Sequence, residues 1–251
     1  MPRAIEMMRR REEDVLKMVL HLSENTDGFT HPELMMIGGY ALRAFISFSR
    51  FTRDCDFALR KGDGWNIDDL KTILPEDYSV EEEEKRDSYG FLRCIKFVKH
   101  NKARVKVSMD FMEGEIRGRK PEEIILIDEV MVKNRKFVPI PIAGKPVRIA
   151  VPNYADYFIM KVISSRASDI RDIASLVHER GIPSGLEKRV GQILPYPEIF
   201  KAKIEKRIIP EIGRTTFLDS WKGIFGTREY TEQDKEEVMK RLKDLSHNWL
   251  V

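Results

Sequence analysis

The chain has 251 residues, enough for one large domain or two of ordinary size, each with a proper core. It is 42% hydrophobic and 34% charged, and 44 basic against 41 acidic residues leave +3, weak support for an anionic partner. No run of roughly 18–20 apolar residues is present to span a bilayer, no signal peptide is expected behind the basic start, and Cys55 and Cys94, standing alone, indicate neither a disulfide framework nor a zinc site.

A cytoplasmic protein with two small buried thiols is therefore expected. Only 2 Gln and 6 Asn against many Lys, Arg and Glu lean toward a thermophilic source. Residues 4–23 set Ile5, Met8, Val15, Val19 and Leu22 near helical spacing, which predicts an amphipathic helix. Its Arg9-Arg10-Arg11 run reads as a solvated face, with nucleic-acid contact as the sharper alternative.

Glu33–Ile37 reads as a short strand, Tyr40–Phe48 as a helix and Cys55–Arg60 as a second strand. Lys61–Asn66, with two glycines, is a turn, and Ile67–Leu74 a short helix ended by Pro75. Tyr78–Lys85, Phe91–Lys99 and Ala103–Met112 follow as strands, with connectors RDSYG and HNK short enough for antiparallel hairpins. Further extended runs lie at Ile124–Ile127, Lys136–Ile140 and Pro146–Ile149, the last two separated by a turn at Gly144-Lys145-Pro146.

From Pro152 the apolar period becomes helical, through Tyr157 and Met160 to Ile170, Ile173, Ala174 and Val177. Thr231 opens a last helix with acids in its first turn and a stripe of Val238, Leu242, Leu245 and Trp249. The expected class is α+β, a mixed α/β region at residues 1–151 followed by a helical region at 152–251.

The chemistry concentrates in GGYAL and RDCDF. On a strand, Asp54 and Asp56 share a face, their side chains starting about 6–7 Å apart, while Cys55 and Phe57 turn to the core. Such a pair can converge on hard cations such as Mg²⁺, although an Asp-x-Asp alone also fits a solvent-facing strand edge. Gly38-Gly39 lets the backbone approach a ligand without a Cβ and opens a helix toward phosphate; a tight turn demanding positive φ is the plainer reading.

Asp110, in VKVSMDFME, shares its strand face with Lys106 and Ser108 and could complete a metal site or serve as general base. Glu113 and Glu115 are nearby alternatives. Lys161 lies within FIMKVI and must snorkel, pair with a carboxylate or meet a phosphate. On an unbroken helix Asp172 would lie within about 40° of it, but Ser168 reads as an N-cap that splits the segment in two. A structural Lys–Asp pair between those helices is the alternative, and Asp169 reads as a first-turn acid. The histidines form no metal cluster, and the basic KAKIEKRIIPEIGR reads as a solvated helix face before an RNA contact.

Together, GGYAL at 38–42, RFTRDCDF at 50–57 and Asp110 resemble the nucleotidyltransferase superfamily with its DNA polymerase β-like core, and within it the AbiEii-type toxin-like nucleotidyltransferases. Arg50 and Thr52 match the approach to the aspartate pair, and Lys161, Arg166, Asp169 and Asp172 match a later helical stretch, so the resemblance covers roughly residues 33–180. It implies a nucleotidyltransferase-like mixed sheet with flanking helices and a helical C-terminal region. It also implies transfer of NMP from an NTP to an acceptor hydroxyl, with two Mg²⁺ ions held by Asp54, Asp56 and Asp110. Gly38, Gly39, Arg53, Lys161 and Asp172 would serve the nucleotide phosphates. RNA, tRNA included, is the implied acceptor, and the chain is the implied toxin of a toxin–antitoxin pair, with an antitoxin as partner. An inactive nucleotide-binding or interaction module and a small-molecule, aminoglycoside-type nucleotidyltransferase stay open beside it.

Overall fold

A computed structural model of the chain describes residues 2–47, 50–62, 65–100 and 103–249. In chain order these form α1 (Pro2–Asn25), β1 (Met35–Ile37), α2 (Gly38–Ala41) with a 3-10 turn at Leu42–Ala44, β2 (Asp54–Leu59), α3 (Ile67–Thr72) and β3 (Ser79–Lys85). Next come β4 (Gly90–His100), β5 (Ala103–Glu113), β6 (Glu115–Arg117), β7 (Ile124–Leu126), α4 (Glu129–Lys133), β8 (Lys136–Ile142) and β9 (Lys145–Val151). The helices α5 (Tyr154–Ser164), α6 (Ala167–Arg180), α7 (Leu186–Ile193) and α8 (Glu198–Lys203) follow. A π-helical stretch at Ile204–Ile208 leads to α9 (Ile209–Ile212), α10 (Phe217–Phe225) and α11 (Glu232–His247). The class is the α+β one expected. Two compact units result, one of Met1–Ala44, Phe51–Ile116 and Ile127–Pro152, the other of Phe45–Arg50, Arg117–Leu126 and Asn153–Val251.

The first unit is built on a five-stranded mixed sheet in the order β1-β2-β5-β4-β3. β2 runs parallel to β5 and antiparallel to β1, and the long β4–β5 pair is antiparallel from Gly90↔Glu113 to His100↔Ala103. Asn101 and Lys102 of the HNK connector, Asp63 and Gly64 of the glycine turn, and Phe48 of the expected helix lie outside the described residues. Alternation gives the sheet its apolar side: Cys55, Phe57, Cys94, Val105, Val107, Met109 and Phe111 are buried. Phe57 stacks between Phe29 and Phe111, with ring centroids at 6.1 and 5.6 Å.

Helix α1 buries Val15, Val19 and Leu22 as its spacing predicted, but Ile5 and Met8 are 47% and 37% exposed. Beyond Ala44 the expected 40–48 helix does not continue as such, since only α2 and its 3-10 turn form. The β8–β9 hairpin turns at Ala143-Gly144, both at positive φ (49° and 75°), as a type I′ hairpin turn requires. Lys145, expected in that turn, instead begins β9, one residue ahead of the extended run expected from Pro146.

In the second unit, α5 is buried along Asp156–Ile163, and Asn153 caps it by accepting from the Asp156 N–H. Trp221 stacks on Tyr230 at 3.9 Å and donates its indole N–H to Ser175 at 2.8 Å. The helix widens to π over Ile204–Ile208 just ahead of Pro210, which has no N–H to return to the ladder. Thr231 caps α11, with Glu232 and Asp234 in the first turn. Val238 and Leu242 are buried and Leu245 half-buried, while Trp249, past the helix end, stacks on Phe200 at 4.8 Å. Among the described residues no helix is long and apolar enough to cross a membrane.

Candidate active site

The aspartate pair begins β2, as the Asp-Cys-Asp-Phe alternation required. Asp54 is exposed, Asp56 half-buried, and Cys55 and Phe57 between and beyond them fully buried. The parallel register with β5 sets Asp54 beside Ser108 and Asp56 beside Asp110. Asp54, Asp56 and Asp110 therefore rise from one face of two adjacent strands. Glu113 is three positions from Asp110 and so alternates to the opposite face, and Glu115 lies beyond Gly114 in β6.

Gly38 meets the same face. It follows β1 and opens α2, and the antiparallel register of β1 puts Ile37 across from Asp56. Its φ is +67°, and a Cβ built there would stand 1.9 Å from Asp56 Oδ2. The plain turn reading of this glycine holds, since its φ is positive, and the space a side chain would fill belongs to the Asp56 carboxylate. Gly39 is buried within α2. That helix is only four residues long, so the dipole invoked for phosphate binding is the field of a few peptide units at most.

Cys55 registers the charge gathered on the other side of its strand. Its thiol is pushed well up by burial first, then by Asp56, against Arg43, with Asp110 and Asp54 adding to the rise.

Asp110 carries a partner that sequence reasoning missed. The Arg93 guanidinium, cross-strand from Asp110 in the β4–β5 register, donates Nε to Oδ1 at 2.8 Å and Nη2 to Oδ2 at 2.6 Å. Arg93 Nη1 also reaches Glu82 Oε2 at 3.0 Å. Its pKa is raised, chiefly by the Asp110 hydrogen bonds against partial burial, then by the fields of Asp110, Glu82 and Asp54. Nothing in RDSYGFLRC marks this arginine, because its role comes from a register between strands.

The donor set is chemically right for a hard cation: three carboxylates on one face, with a glycine leaving room at Asp56. Among the described residues, however, no three His, Cys, Asp or Glu side chains stand ready as a metal-holding group. Both Asp110 oxygens are engaged by Arg93. The carboxylates of Asp54 and Asp56 are of the type a hard cation takes, and Asp110 would have to leave the Arg93 pair to join them. Arg53, the other cation of the motif, is exposed just ahead of Asp54.

A second cluster lies in the second unit. Lys161, 4% exposed on α5, donates to Asp169 Oδ1 at 3.0 Å and to Asp172 Oδ2 at 2.8 Å. Asp172 in turn receives Arg50 through both oxygens, each at 2.7 Å. Burial would push the Lys161 ammonium down, but Asp172, then Tyr157 and Asp169, hold it up, and the net shift is upward. Asp169 is pushed up by burial and held down by Lys161 and Ser164, with a net downward shift.

The N-cap foreseen at Ser168 lies two residues earlier, at Arg166. Ser165 adopts φ 38°, Arg166 becomes the N-cap, and Asp169 accepts the Arg166 N–H at 3.2 Å. Lys161 reaches both acids across this break, which an unbroken-helix estimate could not describe.

A family model described as the AbiEii nucleotidyl transferase toxin of type IV toxin–antitoxin systems matches residues 22–217. This is wider on both sides than the 33–180 span that carried the resemblance. No curated protein matches the chain. Two crystal structures from Helicobacter pylori are similar in fold, both at a TM-score of 0.48. One, provisionally assigned as a nucleotidyltransferase, is 12% identical over 95% of this chain and 94% of its own. The other, JHP933, is 14% identical over 96% of this chain and 93% of its own.

Proposed function

The chain belongs to the AbiEii nucleotidyltransferase toxin family, and from that premise we propose a metal-dependent enzyme that moves an NMP from an NTP to an acceptor hydroxyl. The observation that carries this reading is the meeting of Gly38 with Asp56, and of Asp56 with Asp110, on one sheet face. In the proposed reaction the acceptor oxygen attacks the α-phosphorus, the bond to the bridging oxygen breaks, and pyrophosphate leaves. Two Mg²⁺ ions, when bound, supply charge neutralisation of the triphosphate and of the attacking and leaving oxygens.

The chain's own residues divide the remaining work. Asp54 and Asp56 hold the ions, and Asp110, as third carboxylate, takes the acceptor proton or completes the second site. Gly38 and Gly39 let the triphosphate approach the backbone, and Arg53 balances its charge. For Lys161 and Asp172 the proposed role is toward the nucleotide phosphates; two carboxylates already use the Lys161 ammonium, so such a contact would require it to leave one of them. We take residues 1–151 as the nucleotidyltransferase-like domain and 152–251 as the helical one, although segments 45–50 and 117–126 group with the second unit. RNA, tRNA among them, is the proposed acceptor, and a type IV antitoxin the proposed protein partner.

The ion pairs at Asp110 and Lys161 also suit a fold that binds nucleotide without turning it over, and one experiment separates the readings. The full chain is incubated with Mg²⁺ and each labelled NTP, alone, with total tRNA, and with a panel of small hydroxylated acceptors. Label on RNA supports the proposal. Label on small molecules alone replaces the RNA acceptor, and metal-dependent NTP binding without any transfer leaves the inactive module.

A further inference from the structure

The sheet face with Asp54, Asp56 and Asp110 holds three carboxylates whose mutual repulsion must be offset in the metal-free protein. The guanidinium that Asp110 engages is that of Arg93, directly cross-strand from it. The pairing is bidentate, 2.8 and 2.6 Å, and the field of Asp54 also reaches the guanidinium. A carboxylate with both oxygens taken by a planar fork has little left to offer a cation.

The same guanidinium has a second partner. Its Nη1 lies 3.0 Å from Glu82 Oε2 on the edge strand β3, and the Arg93 side chain is one-third exposed. It can therefore give up Asp110 without becoming an unpaired buried charge, because Glu82 and solvent remain on its outer side.

We infer that Arg93 is a resident counter-cation of the carboxylate face: it holds Asp110 in the metal-free protein and passes to Glu82 when Asp110 is released to a divalent cation. The inference rests on the reading of Asp54 and Asp56 as metal-holding residues. It makes Arg93 a positioning residue that sets how readily the third carboxylate joins the site, with no catalytic contact of its own. Arginine suits the task better than lysine, since only the fork takes both oxygens at once.

Mn²⁺ binding to the full chain without nucleotide, followed by the EPR signal of the free ion, tests this apart from activity. Arg93→Lys keeps the charge and loses the fork, so it is expected to bind Mn²⁺ about fivefold to tenfold more tightly than wild type, up to about 1.4 kcal/mol. Arg93→Gln gives at least the same gain, and thermal melts of the same samples confirm that both variants fold. In an Asp110→Asn background, Arg93→Lys changes nothing, because the carboxylate being contested is gone. Mn²⁺ affinity in Arg93→Lys equal to or weaker than wild type overturns the inference. If Asp54→Ala/Asp56→Ala still abolishes binding in that case, the proposed function survives it. Failure of wild type and both Arg93 variants to bind Mn²⁺ overturns both.

Discussion

At Gly38, a single missing methyl group separates a turn from a site. The residue combines φ +67° with a would-be Cβ only 1.9 Å from Asp56 Oδ2, so Gly38→Ala is strained in backbone and side-chain space alike. We expect Gly38→Ala to lose about 1–2 kcal/mol in urea unfolding and to lower transfer at least about tenfold, because Asp56 must move. Full stability together with full transfer in that variant would contradict the contact. The cysteines make the complementary case. Cys55 and Cys94 are both free and buried, and burial pushes the Cys94 thiol up to about 12. Neither is expected to react with a thiol reagent in native buffer, and both should react in denaturant. A fast native phase would show that one of the strands opens. The alternation of Asp54, Cys55, Asp56 and Phe57 was readable in the chain because a strand has period two. Arg93 was not, since cross-strand partners depend on a register that local sequence leaves open.

The break between α5 and α6 gathers four charges at one place. Lys161 comes from one helix, Asp169 and Asp172 from the next, and Arg50 from a segment 122 residues distant from Asp172. Removing Asp172 leaves Lys161 with Asp169 alone and Arg50 without its bidentate acceptor, in a part of the chain where burial is nearly complete. Asp172→Ala is expected to cost about 3–5 kcal/mol, with unfolding in urea as the readout; a cost under about 1 kcal/mol would contradict the cluster. The acid limb follows from Asp169. Its pKa is depressed in the fold, so its contribution is complete above the ordinary carboxylate value of about 4 and is lost as pH falls through the lower folded value. Unfolding midpoints between pH 7 and pH 2 should therefore decline less steeply in Asp169→Asn than in wild type. The raised Lys161 acts in the opposite sense: its share is complete below its ordinary pKa of about 10.4 and fades only above it. The split itself was legible in the sequence, but its position was not. Ser168 is the better cap by residue type, whereas the left-handed turn at Ser165 and the Asp169 acceptor fixed the cap at Arg166.

For the whole molecule, the strand pattern of residues 33–112 and the helical period after Pro152 were enough to give an α+β fold, and the structure has both. The shortening of the 40–48 helix was hidden, because apolar helix-forming residues there pack well in a 3-10 turn too. The resemblance carried by GGYAL, RFTRDCDF and the 152–177 stretch agrees with the family to which the chain belongs. The central claim is that Asp54 and Asp56 hold the metal ions of a nucleotidyl transfer. Its most direct test is label transfer from each α-labelled NTP, with Mg²⁺ and total tRNA, by wild type beside Asp54→Ala/Asp56→Ala and with metal removed by chelator. Labelled RNA is expected with wild type, and none with the variant or the chelator. Transfer that persists in the folded double variant, or a wild type that neither transfers label nor binds NTP with metal, would contradict it.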